Sequence, residues 1–142
     1  PKTDEEIKIM EENVTLRKFE SFKVQPILSP EKIIEMQGIT KRIYMDDKVK
    51  KYIVKIVNKS RVRDFKHGEY IDFGGSPRAS IGLFIASKGW ALMKGRNYVI
   101  PQDVKDIAHS ILRHRLILNY KAKAEGISSD KIIDEILGMI SV

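Results

Sequence analysis

Arg78 stands at the start of a strongly apolar segment, directly behind Gly74-Gly75-Ser76-Pro77. A helix beginning at Pro77 would place this guanidinium at the positive end of its own dipole, where a cation is disfavoured by about 0.3–1 kcal/mol. Local chemistry leaves two readings open. In one, Arg78 is a surface arginine paired with a nearby acid, Asp72 or Glu69. In the other, the helix end is an anion site. Ser76 would cap it, Pro77 would fix the first helical φ, and first-turn N–H groups would lack partners. Gly74-Gly75 would let backbone approach a bulky ligand. An arginine suits a phosphate there, because its planar fork offers two donors to two oxygens.

Other chemistry is sparse. The chain has no GxxxxGK[ST] and no GxGxxG, so it lacks a phosphate-cradling loop of its own. Its histidines are His67, His109 and His114. The last two, five residues apart on one helix, would point about 140° away from each other, so no metal site is expected. Cysteine is absent, which removes disulfides and thiolate sites. No Ser/His/Asp arrangement stands out. Arg113 and Arg115 in "RHRL" could face DNA, but no glycine-bearing turn joins two helices at helix-turn-helix length, and nucleic-acid binding is not expected. The net charge of +7 fits either an anionic partner or a solvated, lysine-rich exterior.

The elements that would position Arg78 follow from periodicity. Apolar content of 42% with 32% charged residues is globular. No apolar run approaches the roughly 18 residues of a membrane span, and a soluble, cytoplasmic chain is expected. Thr3, with Glu6 completing a capping box, predicts a first helix to about Asn13. Residues 15–28 read as an extended connector. Ser29-Pro30 predicts a second helix that Gly38 ends, followed by a short strand-like piece. Asp46 or Asp47 opens a third, with Val49, Tyr52, Ile53, Ile56 and Val57 in full amphipathic register. Residues 61–75 read as irregular. The fourth helix, Pro77 to about Lys94, is apolar nearly all round and so predicted central and buried, with Gly82, Ala86 and Gly89 admitting a close neighbour and Gly95 ending it. "NYVI" reads as a single strand, Pro101 starts a fifth helix, and Ser128 or Ser129 caps a last one. The sum is a mainly α, compact helical bundle with minor β pieces.

The ordered motifs "GGSPRAS", "GRNYVIPQDV", "LRHRL" and Glu125-Gly126 resemble the C-terminal lid of MoxR-family AAA+ ATPases. "VQPILSPEKIIEMQGITKRIYMDDKVKKYIVKIVNKSR" is similar to the upstream half of that lid, so the likeness covers essentially all 142 residues. Gly75 stands where the family has alanine. Ile100 stands where it has threonine, which removes a helix cap worth around 1 kcal/mol. The resemblance implies one lid domain over 1–142, with an opening helix and connector at 1–28 and a bundle at 29–142.

It also implies that Arg78 is the sensor-2 arginine, with Gly75, Ser76 and Pro77 beside it at the nucleotide. ATP and its magnesium would be held by an α/β core lying before Pro1, so this segment alone would be no enzyme although its parent would hydrolyse ATP. That agrees with a chain opening on Pro1 rather than methionine, as expected of a piece of a longer polypeptide. The implied partners are that core, neighbouring subunits of a ring (usually a hexamer), and protein clients, with von Willebrand A-domain proteins among them. A lid parted from its core would expose apolar surface. The alternative is a stand-alone basic helical domain that binds DNA or protein.

Overall fold

A computed structural model describes residues 2–14 and 25–141. The described residues are mainly helical, with helices α1 (Thr3–Val14), α2 (Pro30–Arg42), α3 (Asp47–Val62), α4 (Pro77–Met93), α5 (Pro101–Leu112), α6 (Tyr120–Ala124) and α7 (Ser129–Met139). Strands β1 (Ile71–Phe73) and β2 (Ile117–Leu118) form a small antiparallel sheet in which Ile71 faces Leu118 and Phe73 faces Ile117. The chain divides into two units, Pro1–Ile33 and Ile34–Val142.

The first unit holds α1, whose described side chains are exposed. Thr3 does not cap it; only the backward half of a capping box forms, one residue earlier than the sequence suggests. Thr3 is already helical, and the Glu5 carboxylate accepts the Lys2 N–H at 2.9 Å. Of the connector, residues 15–24 lie outside the described residues. Ser29 Oγ accepts the Lys32 N–H at 3.3 Å, as its sequence position promised.

In the second unit a single core gathers α3, α4, α5 and α7. Asp46 caps α3 by accepting the Lys48 N–H at 2.8 Å. The predicted stripe Val49, Tyr52, Ile53, Ile56 and Val57 is buried to the last residue. Each aliphatic member contributes roughly 1.5–3 kcal/mol by leaving water. The same periodicity serves α5 through Val104, Ile107 and Ala108, and α7 through Ile132, Ile133 and Ile136.

Three expectations change. Gly38 does not end α2, which runs through it to Arg42. "NYVI" forms only one parallel bridge, Tyr98 to Tyr44, because Asn97 O and Val99 N–H reach a single residue of the opposing chain. Helix α4 is not buried all round. Ala79, Leu83, Ser87 and Ala91 make its inner stripe, while Ile81 and Ile85 are more than half exposed. An all-apolar sequence reports how much surface could be covered, and here only one side finds cover. Gly82 does admit a neighbour, since a Cβ there would lie 3.0 Å from Ile111 Cγ2 of α5. Gly89 meets nothing within 4 Å.

The turn from α4 to α5 is tightly specified. Gly95 takes φ 73°, its N–H reaches Leu92 O, and the Arg96 N–H reaches Ala91 O, a Schellman closure. Arg96 then forks onto the buried carboxylate of Asp103, with Nη1 to Oδ2 at 2.8 Å. Asp103 also accepts the Ile100 N–H at 2.8 Å, so half of a capping box survives although Ile100 has no hydroxyl to offer.

Surface carboxylates set the acid response. Hydrogen bonds hold four aspartates below the usual carboxylate range: Lys50 to Asp47, Lys59 to Asp64, Gln102 and then Trp90 to Asp106, and Arg113 to Asp130. A carboxyl whose pKa falls on folding contributes stability that is complete above its unfolded value, about 3.9, and vanishes as the pH drops through the lower folded one. Thermal melts should therefore hold level from pH 6 to 5 and fall below about pH 4. A midpoint that climbs on acidification below that point would contradict these assignments.

Candidate functional site

The site begins at the last turn of α3. Ser60 is buried, its hydroxyl donating to Val57 O at 2.6 Å and accepting the Gly75 N–H at 2.9 Å. Arg61 Nε donates to Gly75 O at 2.6 Å, and its Nη1 to Asn58 Oδ1 at 3.1 Å. Consecutive residues of α3 thus hold both polar groups of Gly75. Two residues on, Arg63 ends the helix in the left-handed region at φ 63°, and its guanidinium donates to Asp72 O.

These contacts explain the paired glycines. A Cβ on Gly74 would lie 2.5 Å from Ser60 O, and one on Gly75 would lie 3.1 Å from Val57 Cγ1 and 3.2 Å from Ala79 Cβ. The close approach that the glycines permit is to α3, a role that sequence reading assigned to a ligand.

Ser76 then occupies the N-cap position of α4, with φ −73° and ψ 171°. Its hydroxyl makes no capping hydrogen bond, contrary to expectation; the Ala79 N–H is met by Ser76 O at 2.8 Å instead. Pro77 supplies no N–H, and the first turn of α4 contains no acid. Arg78 is exposed and has no partner among the described residues. Neither acid that might have paired with it does so. Glu69 takes Lys121 Nζ at 3.0 Å, and Asp72 meets Arg63 through its carbonyl. At three- and seven-residue spacing, Arg78 shares a side of α4 with the exposed Ile81 and Ile85. The helix thus presents a free guanidinium followed by an apolar strip.

The remaining candidates are dispersed. His67 Nδ1 bonds Glu135, His109 Nε2 lies 2.9 Å from Asp134 Oδ1, and His114 is exposed. No cluster of three or more potential ligands gathers among the described residues. Arg113 is engaged by Asp130 at 2.7 Å, and Arg115 is half-buried, which leaves "RHRL" without a pair of free arginines for DNA. No helix among the described residues is long and apolar enough to cross a membrane.

Residues 64–136, half of the chain, match the AAA lid domain family. The chain belongs to that family. The matched span contains the Gly74–Arg78 loop, the Arg96–Asp103 turn and Glu125-Gly126. The lid is 38% identical over 119 residues to the protein YeaC of Bacillus subtilis, covering 84% of this chain and 36% of that protein. It is 36% identical over 122 residues to the chaperone MoxR1 of Mycobacterium tuberculosis, covering 82% of this chain and 32% of MoxR1. A crystal structure of a proposed ATPase from Cytophaga hutchinsonii superposes with a TM-score of 0.77 and 32% identity, over 98% of the lid and 43% of that chain. The lid is therefore of the MoxR type, and it spans about a third of the length of the relatives it matches.

Ser60 and Arg61 are the site residues that sequence reading missed. Their bonds to Gly75 span 15 and 14 residues and leave no trace in a helical period.

Proposed function

We propose that this lid closes over ATP held by an adjoining AAA core and that Arg78 binds its phosphates there. Ser76 and Pro77 open the helix end that meets the nucleotide, and Gly75, buried with both backbone groups held by α3, sets their place beside it. The observation supporting this most directly is an exposed, unpaired guanidinium on an acid-free helix N-terminus, fixed to α3 through the preceding loop. A charge placed where its own helix disfavours it is stabilised when an anion arrives between the two. Loss of the γ-phosphate after hydrolysis would release Arg78 and let the lid move. The apolar strip of Ile81 and Ile85 lies on the same side and would be covered by the core. In this reading the magnesium sits in the core, the parent is a cytoplasmic, ring-forming ATPase that remodels protein clients, von Willebrand A-domain proteins among them, and the lid itself has no catalytic activity.

Calorimetry with ATP tests the division of labour. The chain by itself should bind ATP more weakly than about 1 mM, since one guanidinium and one helix end offer too few donors. Joined to its core, it should bind in the micromolar range. Micromolar affinity in the chain alone would place the whole nucleotide site within these residues and overturn the proposal.

A further inference from the structure

The grip of α3 on Gly75 has a consequence for Arg78. A guanidinium stabilises developing charge only where it is held, and a misplacement of about 1 Å can cost two orders of magnitude in rate. Arg78 makes no contact that would hold its own side chain among the described residues. Its backbone position is set upstream, by a loop whose peptide groups are fastened to one helical turn. Ser60 Oγ holds the Gly75 N–H at 2.9 Å and Arg61 Nε holds Gly75 O at 2.6 Å, while Gly74 lies too close to Ser60 O for any Cβ. Asn58 steadies the Arg61 guanidinium from the same turn at 3.1 Å. Only Ser76 and the conformationally fixed Pro77 separate the held carbonyl of Gly75 from Arg78. Few soft dihedrals remain between the clamp and the charge.

We infer that Arg61 is a positioning residue for nucleotide turnover, acting through Gly75 on Arg78. The inference rests on the phosphate role proposed for Arg78. Arg61 needs no contact with the nucleotide. Its exposed, arginine-specific geometry is spent on a backbone carbonyl next to the N-cap, with Nε on Gly75 O and Nη1 on Asn58 Oδ1, a planar fork that the single ammonium nitrogen of a lysine does not reproduce.

The test is a mutant cycle in the ATPase that carries this lid, reading kcat and KM for ATP together with the thermal midpoint. Arg61→Ala should lower kcat about tenfold with KM changed less than threefold, because the placement of Arg78 matters most in the transition state. Arg61→Lys should recover part of that loss. The double variant Arg61→Ala/Arg78→Ala should turn over no more slowly than Arg78→Ala alone, since a clamp has nothing left to place. A merely structural role would lower the midpoint and multiply with Arg78→Ala. Ser60→Ala, which frees the Gly75 N–H, gives a second route to the same pattern should Arg61→Ala fold poorly. If Arg78→Ala is slow while Arg61→Ala, or Ser60→Ala in its place, matches wild type or multiplies with it, the inference is wrong and the phosphate role stands. If Arg78→Ala turns over normally, the phosphate role fails first and the positioning role goes with it.

Discussion

Arg78→Ala is expected to slow ATP hydrolysis about 100-fold in kcat in the ATPase proposed to form when this lid joins its AAA core, the scale on which one preorganised donor to developing charge is measured. The lid should fold as before. Arg78 is exposed, pairs with nothing among the described residues and lies outside the buried stripe of Ala79, Leu83, Ser87 and Ala91. Removing a cation from a helix N-terminus relieves an unfavourable dipole contact, and alanine is the better helix former. The thermal midpoint of the isolated chain should therefore stay level or rise slightly while turnover collapses. That opposition separates a phosphate ligand from a structural arginine. Arg78→Lys should recover only part of the rate, because a lysine offers one point charge in place of a planar fork. A variant that hydrolyses ATP at the wild-type rate would remove Arg78 from the mechanism. One that loses rate and stability together would return it to the class of ordinary ion-pairing surface residues.

The anomaly at Arg78 was legible because it is a local conflict, a cation at the end of a helix that repels it. Helices α3, α5 and α7 were legible for a related reason: their apolar residues recur at the helical period, and burial follows that period. Gly95 was readable as a terminator since only a residue tolerant of positive φ closes a Schellman turn cheaply. What escaped was whatever depends on distant partners. Strands β1 and β2 are three and two residues long, too short for any alternation, and exist only because Ile71 meets Leu118 across the sequence. Helix α6 is five residues capped by Asn119, below the length at which periodicity speaks. Ser60 and Arg61 read as the polar end of a helix. Nothing nearby says that their side chains turn to a loop fourteen and fifteen residues on. The solvent side of α4 misled in the opposite sense, because its composition suggests burial that these residues do not provide.

The glycines sharpen that distinction, because one substitution should act with opposite sign at different positions. Gly68→Ala is expected to destabilise the chain by about 3 kcal/mol, at the upper end of overpacking costs. A Cβ there would lie 2.1 Å from Arg63 O and 2.8 Å from Arg63 Cα, which are backbone atoms unable to rotate away. Arg63 cannot yield easily either, since it already holds φ 63° to end α3 and its guanidinium is fixed to Asp72 O. Gly74→Ala, at 2.5 Å from Ser60 O, should follow with a somewhat smaller loss. Gly89→Ala should do the reverse and stabilise by up to about 1 kcal/mol, because it lies within α4, meets nothing within 4 Å and carries only the entropic cost of a helical glycine. Urea unfolding of the three variants, with m-values compared, is the measurement. Equal losses at all three sites would mean that glycine is tolerated here for general flexibility. A loss at Gly68 and Gly74 set against a gain at Gly89 would tie the requirement to the end of α3, where a β-carbon would force apart the backbone that carries Arg78.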